Sequence, residues 1–432
     1  MCRVTGVSGG LALRAFHDAL AALDPARLVE EALCGPPVPT LLLGAGKASV
    51  AMARGAARAL GVALEGGVVV APDAGDVDAG GLSVLLAPHP VPDARSVAAG
   101  RELLARAAAP PSGTELLLLL SGGASALAAV PARGLTLGDK VAVTSSLAAA
   151  GASIIELNLV RRHLSAIKGG RLGAAARVRL RVLVLSDVLG DDLLTIGGGP
   201  VTATRDTPAD ARAILDRYRV ALPVAIARHL AGASDAPRPD DVRLQQIEID
   251  ARVLAGPDEF VGAAARALAA AGVEVVGQET RVAGDVVAFA TRFATEVCAL
   301  AWGTVPGAAR ALVAGGEPTI SLPAAPGRGG RAQHAALVAA LTLAQAALPP
   351  SVELAILCVA SDGRDGPTDD AGGLVDAGTA ARAAASGCDP SAALAACDAG
   401  TALAAAGALV TTGPTGTNLA DLFVGVVVGA RG

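Results

Sequence analysis

Only three lysines, Lys47, Lys140 and Lys168, stand among 35 basic residues; all the others are arginine. Two of the three adjoin glycine turns. Lys47 closes Gly44-Ala45-Gly46-Lys47, and Lys168 precedes Gly169-Gly170. A glycine turn opening a helix points backbone N–H groups and the positive end of the helix dipole at one spot, which suits an anion. A lysine there adds a point charge of the kind that clamps a phosphate. A second such turn is Ser121-Gly122-Gly123-Ala124-Ser125, with two hydroxyls beside the glycine amides. It is not a hydrolase nucleophile elbow, because Ser121 precedes both glycines.

Acidic residues cluster in "SDVLGDD", with Asp187, Asp191 and Asp192, and in "SDGRDGPTDDAGG", with Asp362, Asp365, Asp369 and Asp370. Their spacing does not fit an EF-hand loop, but hard oxygen ligands of this kind suit Mg2+ shared with substrate phosphates. An aspartate can also take the proton of an attacking hydroxyl. Before the first cluster, "ELNLVRRHLSAIKGG" predicts a helix on which Arg161, Ser165 and Lys168 share one face. Further along, "PGRGGRAQH" offers Arg328 and Arg331 as forked partners for carboxylate or phosphate. "TTGPTGTNLADL" adds the Thr415 hydroxyl, Asn418 and Asp421. Phosphate cradles, cations and acidic metal ligands together make up what phosphoryl transfer needs.

These residues require elements to hold them. Thr40–Leu43 is an apolar run that breaks at the first glycine turn, and Leu116–Leu120 breaks at Ser121 in the same way. The pattern of apolar run, polar turn and helix recurs at Arg181–Asp192 and in three later stretches. Continuous apolar runs predict strands buried on both faces, hence an α/β fold with parallel sheets, whose ligands bind at the carboxyl ends of strands. The Pro- and Asp-rich stretch Ala231–Asp241 divides the chain into domains 1–240 and 241–432, with a cleft expected between them. The N-terminal helix is free to join either. A net charge of −5 and 2% aromatic residues exclude a nucleic-acid surface, and no uncharged apolar stretch is long enough for a membrane span. The six scattered cysteines form no C-x-x-C pair and read as reduced thiols.

A rival chemistry is also visible. Gly44-x-Gly46-x-x-Ser49 nearly matches the dinucleotide fingerprint, and Glu65 lies near the spacing of its ribose-binding acid. This favours an NAD(P)-dependent reductase; Lys47 and the acidic clusters argue against it.

Across nearly its whole length the chain resembles the two-domain glycerate 2-kinases, whose C-terminal domain is called MOFRL. The stretches that carry the likeness are "GAGKAS", "HPVPD", "LSGGASAL", "GLTLGDK", "ELNLVRRHLSAIKGGRL", "SDVLGDD", "GGEPTISL", "GRGGRAQ", "SDGRDGPTDDAGG" and "TTGPTGTNLADL". The resemblance implies a Rossmann-like, mostly parallel N-terminal domain and a smaller α/β C-terminal domain. It implies a cytoplasmic enzyme, with a homodimer compatible, that uses ATP and Mg2+ to phosphorylate D-glycerate or a related 2-hydroxy acid at the 2-hydroxyl. Members also carry the name hydroxypyruvate reductase. By position, the family's active-site lysine matches Lys47 and its arginine Arg331. The strand-end acids match Asp187, Asp191, Asp362 and Asp365, expected as metal ligands, with Asp187 and Asp362 also catalytic. Two departures stand out. Ala332-Gln333-His334 replaces Asn-Gln-Glu beside Arg331, which points to altered substrate choice or a protein that binds without turnover. Gly198-Gly199-Pro200-Val201 replaces Ser-Gly-Pro-Thr.

Overall fold

The computed structural model describes residues 6–73 and 76–430. They form two compact units. One is Pro25–Leu254; the other joins the N-terminal helix Val7–Ala22 to the chain from Ala255 onward.

In the unit Pro25–Leu254 the strands are β1 (Thr40–Ala45), β2 (Leu64–Pro72), β3 (Ser83–Ala87), β4 (Glu115–Ser121), β5 (Leu180–Leu185) and β6 (Ile249–Ala255). They lie in the order β3-β2-β1-β4-β5-β6, and the pairs from β3 through β5 are parallel. This is the Rossmann order, and it reverses direction between β1 and β4. Every residue of β1 and of β4 is buried, as their unbroken leucine runs require. The strands return through helices begun by side-chain caps, including Asp93 before Ala94–Ala108, Thr136 before Leu137–Ala149 and Ser153 before Ile154–His163.

The boundary expected at 240/241 falls one strand short. The Pro-rich stretch is a surface loop of this unit, held where Arg171 pairs with Asp235, and the chain then returns as β6 beside β5.

The second unit contains β7 (Glu274–Val282), β8 (Ala309–Gly316), β9 (Val352–Ala360), β10 (Gly372–Val375), β11 (Leu409–Val410) and β12 (Asp421–Gly429). Their order is β11-β10-β9-β12-β8-β7. Here the expectation of a parallel sheet fails: β7 and β8 are parallel, but β12 runs antiparallel to both β8 and β9, and β10 antiparallel to β9. The strands are still continuously apolar because helices cover both faces. Phe423, Gly425 and Val427 face helices Val286–Trp302 and Arg331–Gln345, while Leu422, Val424 and Val426 are buried on the opposite side, where Val7–Ala22 packs. Phe16 of that helix meets Phe260 at 6.2 Å. Phe423 is fully buried and edge-on to Phe289 at 4.6 Å. Phe423→Ala is expected to cost this unit about 3–5 kcal/mol, read as a lower urea midpoint of its unfolding transition.

Candidate active site

At the reversal between β1 and β4 the first two turns are locked together. Gly46 has φ +137°, and a Cβ there would lie 2.1 Å from Ser121 Oγ, so only glycine allows the approach. Lys47 N–H donates to Gly122 O at 2.9 Å, and Ala48 N–H donates to Ser121 Oγ at 2.9 Å. Ser49 Oγ lies 2.8 and 2.9 Å from the carbonyl oxygens of Gly46 and Val70. Gly44 is buried against Val69. Of the residues expected to bind, Gly44, Gly46 and Ser121 thus build the turn. What the turn presents is Lys47, half-buried, beside Gly123 and His89: a Cβ on Gly123 would lie 3.3 Å from Lys47 Cγ and 3.2 Å from the His89 ring. The sequence reading gave His89 no role.

The single helix face expected for Arg161, Ser165 and Lys168 does not form. The helix stops at His163, Ser165 bridges to Pro131, and Lys168 lies in the turn that follows. The turn nevertheless brings Lys168 to the site. Its Nζ reaches the Ser125 hydroxyl and, at 2.8 Å, Gly197 O. Burial pushes the Lys168 pKa well below the usual lysine range, and Lys140, Arg161 and Arg162 push it further. Gly198, one of the departures from the family pattern, makes room: a Cβ there would lie 2.7 Å from Lys168 Cδ.

Asp187 and Asp191 follow β5, whose Leu185 pairs with Ser121. Asp191 is held at φ +54°, an uncommon conformation for a residue with a side chain. Asp192 instead caps its own turn through Leu194 N and Thr195 Oγ1.

In the second unit, antiparallel pairing sets the start of β12 beside the ends of β8 and β9. Asp421 opposes both Gly316 and Ala360, which puts Glu317, Asp362 and Asp421 at one end of the sheet. Arg331, first residue of helix Arg331–Gln345, donates from Nη1 to Glu317 Oε1 at 2.7 Å and lies 3.4 Å from Asp421 Oδ2 through Nε. Burial opposes its charge, but Asp421 and Glu317 outweigh that and raise its pKa. Burial pushes the Asp421 carboxyl up to about 7, against the pull of Arg331 and with the added repulsion of Asp365.

Asp365, Arg328 and Thr415, among the expected site residues, make contacts that hold the fold. Asp365 accepts the backbone N–H groups of Gly330, Ala332 and Gln333, at 3.1, 3.1 and 2.7 Å. It clamps the start of the helix that carries Arg331. Burial raises its pKa to about 6 despite those bonds. Arg328 is bound to Asp370, and Thr415 Oγ1 donates to Ser361 O at 2.6 Å. Asp362 accepts from Arg364 N–H at 3.0 Å, and Asn418 is buried in the same turn region. Among the described residues no group of three or more His, Cys, Asp or Glu side chains is gathered for a metal. The pair Asp187 and Asp191, on one loop beside the phosphate-type turns, is the carboxylate set that still fits Mg2+ shared with phosphates. Ala332 and His334 are 0% and 4% exposed, in the first turn of the helix that Arg331 begins. Glu317 and Asp421 were not assigned from sequence; the signal for Asp421 was its place at a strand end after "TGTNLA".

The rival dinucleotide site loses its acid. Glu65 is exposed at the start of β2, level with the first residues of β1 and at the far end from Gly46. The aspartate at the correct end, Asp73, is paired with Arg95.

Residues 11–231 match the DUF4147 family, described as a domain of unknown function, and residues 310–421 match the MOFRL family. A D-glycerate 2-kinase from Thermotoga maritima is 36% identical over 97% of this chain and 98% of its own. The chain belongs to the two-domain glycerate 2-kinase family. A glycerate kinase crystal structure from Thermotoga maritima superposes with a TM-score of 0.80 at 32% identity, covering 97% of this chain and 99% of that one. A relative from Agrobacterium vitis, 38% identical over 98% of this chain and 95% of its own, bears the name hydroxypyruvate reductase. Within the family frame, the DUF4147 match spans Lys47 through Lys168, and the MOFRL match runs from β8 to Asp421, taking in Glu317, Arg331 and Asp365. No helix among the described residues is long and apolar enough to cross a membrane.

Proposed function

We propose that the protein is a cytoplasmic kinase that transfers the terminal phosphoryl group of ATP to the 2-hydroxyl of D-glycerate, giving 2-phosphoglycerate and ADP. The observation that carries this reading is Lys47 at the strand-order reversal, seated against the Ser121–Ser125 turn, where an open α/β sheet receives its ligand. A lysine there matches developing phosphoryl charge; a dinucleotide pyrophosphate is met by glycine amides. Lys47, Gly122, Gly123 and Ser125, with Arg161 and Lys168, handle the phosphates. Mg2+ held by Asp187 and Asp191 would neutralise phosphate charge when bound.

Arg331 holds the glycerate carboxylate, and Asp421 receives the proton of the 2-hydroxyl as its oxygen bonds to the terminal phosphorus and the bond to the bridging oxygen of ADP breaks. A carboxyl poised near neutrality is matched to that task. The test is ADP release with ATP, Mg2+ and D-glycerate, the product identified by NMR, run beside NADH and NADPH oxidation with hydroxypyruvate. The expected result is ADP release with the 2-phosphate formed and no nicotinamide oxidation; the reverse pattern overturns the reading.

A further inference from the structure

All three lysines of the chain fall in the unit Pro25–Leu254, and two of them are buried. Lys140, 6% exposed, sits in the first turn of helix Leu137–Ala149, where the helix dipole opposes a cation. Among the described residues its Nζ has no hydrogen-bond partner. Burial, with Arg161 nearby, lowers its pKa to about 8. Arg161 belongs to the last turn of the neighbouring helix Ile154–His163, packed on the first through Val143, Leu147 and Val160. It is half-buried, and its Nη1 donates to Asn158 Oδ1 at 3.4 Å. Lys168 is 1% exposed and bound to a hydroxyl and a carbonyl.

Among the described residues none of these three cations forms an ion pair. The adjacent Arg162 and Arg171 show the contrast, each paired with an aspartate, Asp206 and Asp235. Buried charges in proteins are paired, because desolvation is costly without compensation. Lys140 and Arg161 stand on helices packed against each other, Lys140 and Lys168 are buried, and none of the three is answered by a carboxylate among the described residues, an arrangement that is unfavourable until an anion enters it.

We propose that Lys140, Arg161 and Lys168 form a buried oxyanion subsite that takes a phosphate dianion, with Lys140 as a direct ligand. A dianion answers the excess charge better than a carboxylate, and the Ser125 hydroxyl supplies a further polar partner. Two sources share this chemistry, the phosphate tail of the nucleotide and the phosphoryl group of the product, and assigning either one rests on the kinase reading above.

The experiment follows melting temperature against inorganic phosphate at constant ionic strength, with the full chain and its Lys140→Met variant. Wild type is expected to melt progressively higher as phosphate rises. Lys140→Met, which replaces a buried unpaired cation with an apolar chain of similar length, is expected to melt higher than wild type without anion and to bind phosphate at least ten-fold more weakly. Arg161→Gln, at a half-exposed side chain, is expected to weaken phosphate similarly and guards against a folding artefact at position 140. Repeating the titration with ADP and with 2-phosphoglycerate assigns the source: a ten-fold loss for either supports the subsite. Unchanged binding of all three anions in both variants overturns it, as does a wild type that phosphate does not stabilise. A wild type that lacks kinase activity but shows the phosphate effect, lost in Lys140→Met, keeps the subsite and overturns the kinase reading alone.

Discussion

Replacing Asp421 with asparagine is expected to lower glycerate phosphorylation by about 10²- to 10⁴-fold, the usual contribution of a positioned general base, while making the protein more stable at neutral pH. Both effects have one origin. Asp421 is buried at the start of β12, and burial lifts its pKa to about 7 although Arg331 stands 3.4 Å away. The folded protein therefore binds the Asp421 proton more tightly than the unfolded chain, whose carboxyl titrates near 3.8. Between those values the native state holds the extra proton, so this group's contribution to stability falls as pH rises from about 4 to 7 and stays low above. Asparagine does not titrate. The melting-temperature gain of Asp421→Asn should be near zero at pH 4, grow to pH 7 and then level off.

The same group sets the expected pH profile of the reaction. In wild type kcat/KM should rise through about pH 7 as Asp421 ionises. Arg331 lowers that pKa, so Arg331→Ala should move the acid limb to higher pH in addition to weakening glycerate. Arg331→Lys keeps the charge and should move it less. Near-wild-type turnover in Asp421→Asn would assign the base elsewhere, with Asp362 next in line.

The first unit was legible because each of its signals is local. Thr40–Leu43 running into Gly44-Ala45-Gly46-Lys47, and Leu116–Leu120 into Ser121, state both the strand and the turn at its end. Strand direction in the second unit was not legible. A strand covered by helices on both faces is continuously apolar whether its neighbours run parallel or antiparallel, and β12 is such a strand. Asp365 could be read as an acid but not as a clamp, because the helix start it holds lies more than thirty residues earlier in the chain. Lys168 stood out in the sequence on two grounds, the Gly169-Gly170 turn and helical spacing, and only the turn matches its placement. Helical spacing suggested a shared face with Arg161, whereas the Gly169-Gly170 turn folds it back onto Ser125. Lys140 was visible as a rare residue, but the Thr136–Asp139 capping box before it reads as an ordinary solvated helix start, and only burial separates the two.

Lys47→Ala is expected to lower kcat by about 10²- to 10³-fold, the scale seen when one preorganised donor to developing charge is removed. Stability should change by less than about 1 kcal/mol. What holds the turn is the backbone bond from Lys47 N to Gly122 O, the Ala48 bond to Ser121 and the close seat of Gly46, none of which needs the lysine side chain. If the ammonium acts on charge that develops during transfer, kcat and kcat/KM for ATP should fall together with KM nearly unchanged; a rise in KM alone would make it a ground-state phosphate contact. Lys47→Arg should recover only part of the rate, because a planar fork does not reproduce a compact point charge. A nicotinamide enzyme would need an acid at the end of β2, and Glu65 sits at its start. A collapsed rate of ADP release in Lys47→Ala, with no nicotinamide oxidation by the wild type, separates the two chemistries that the same strand–glycine–helix turn can serve.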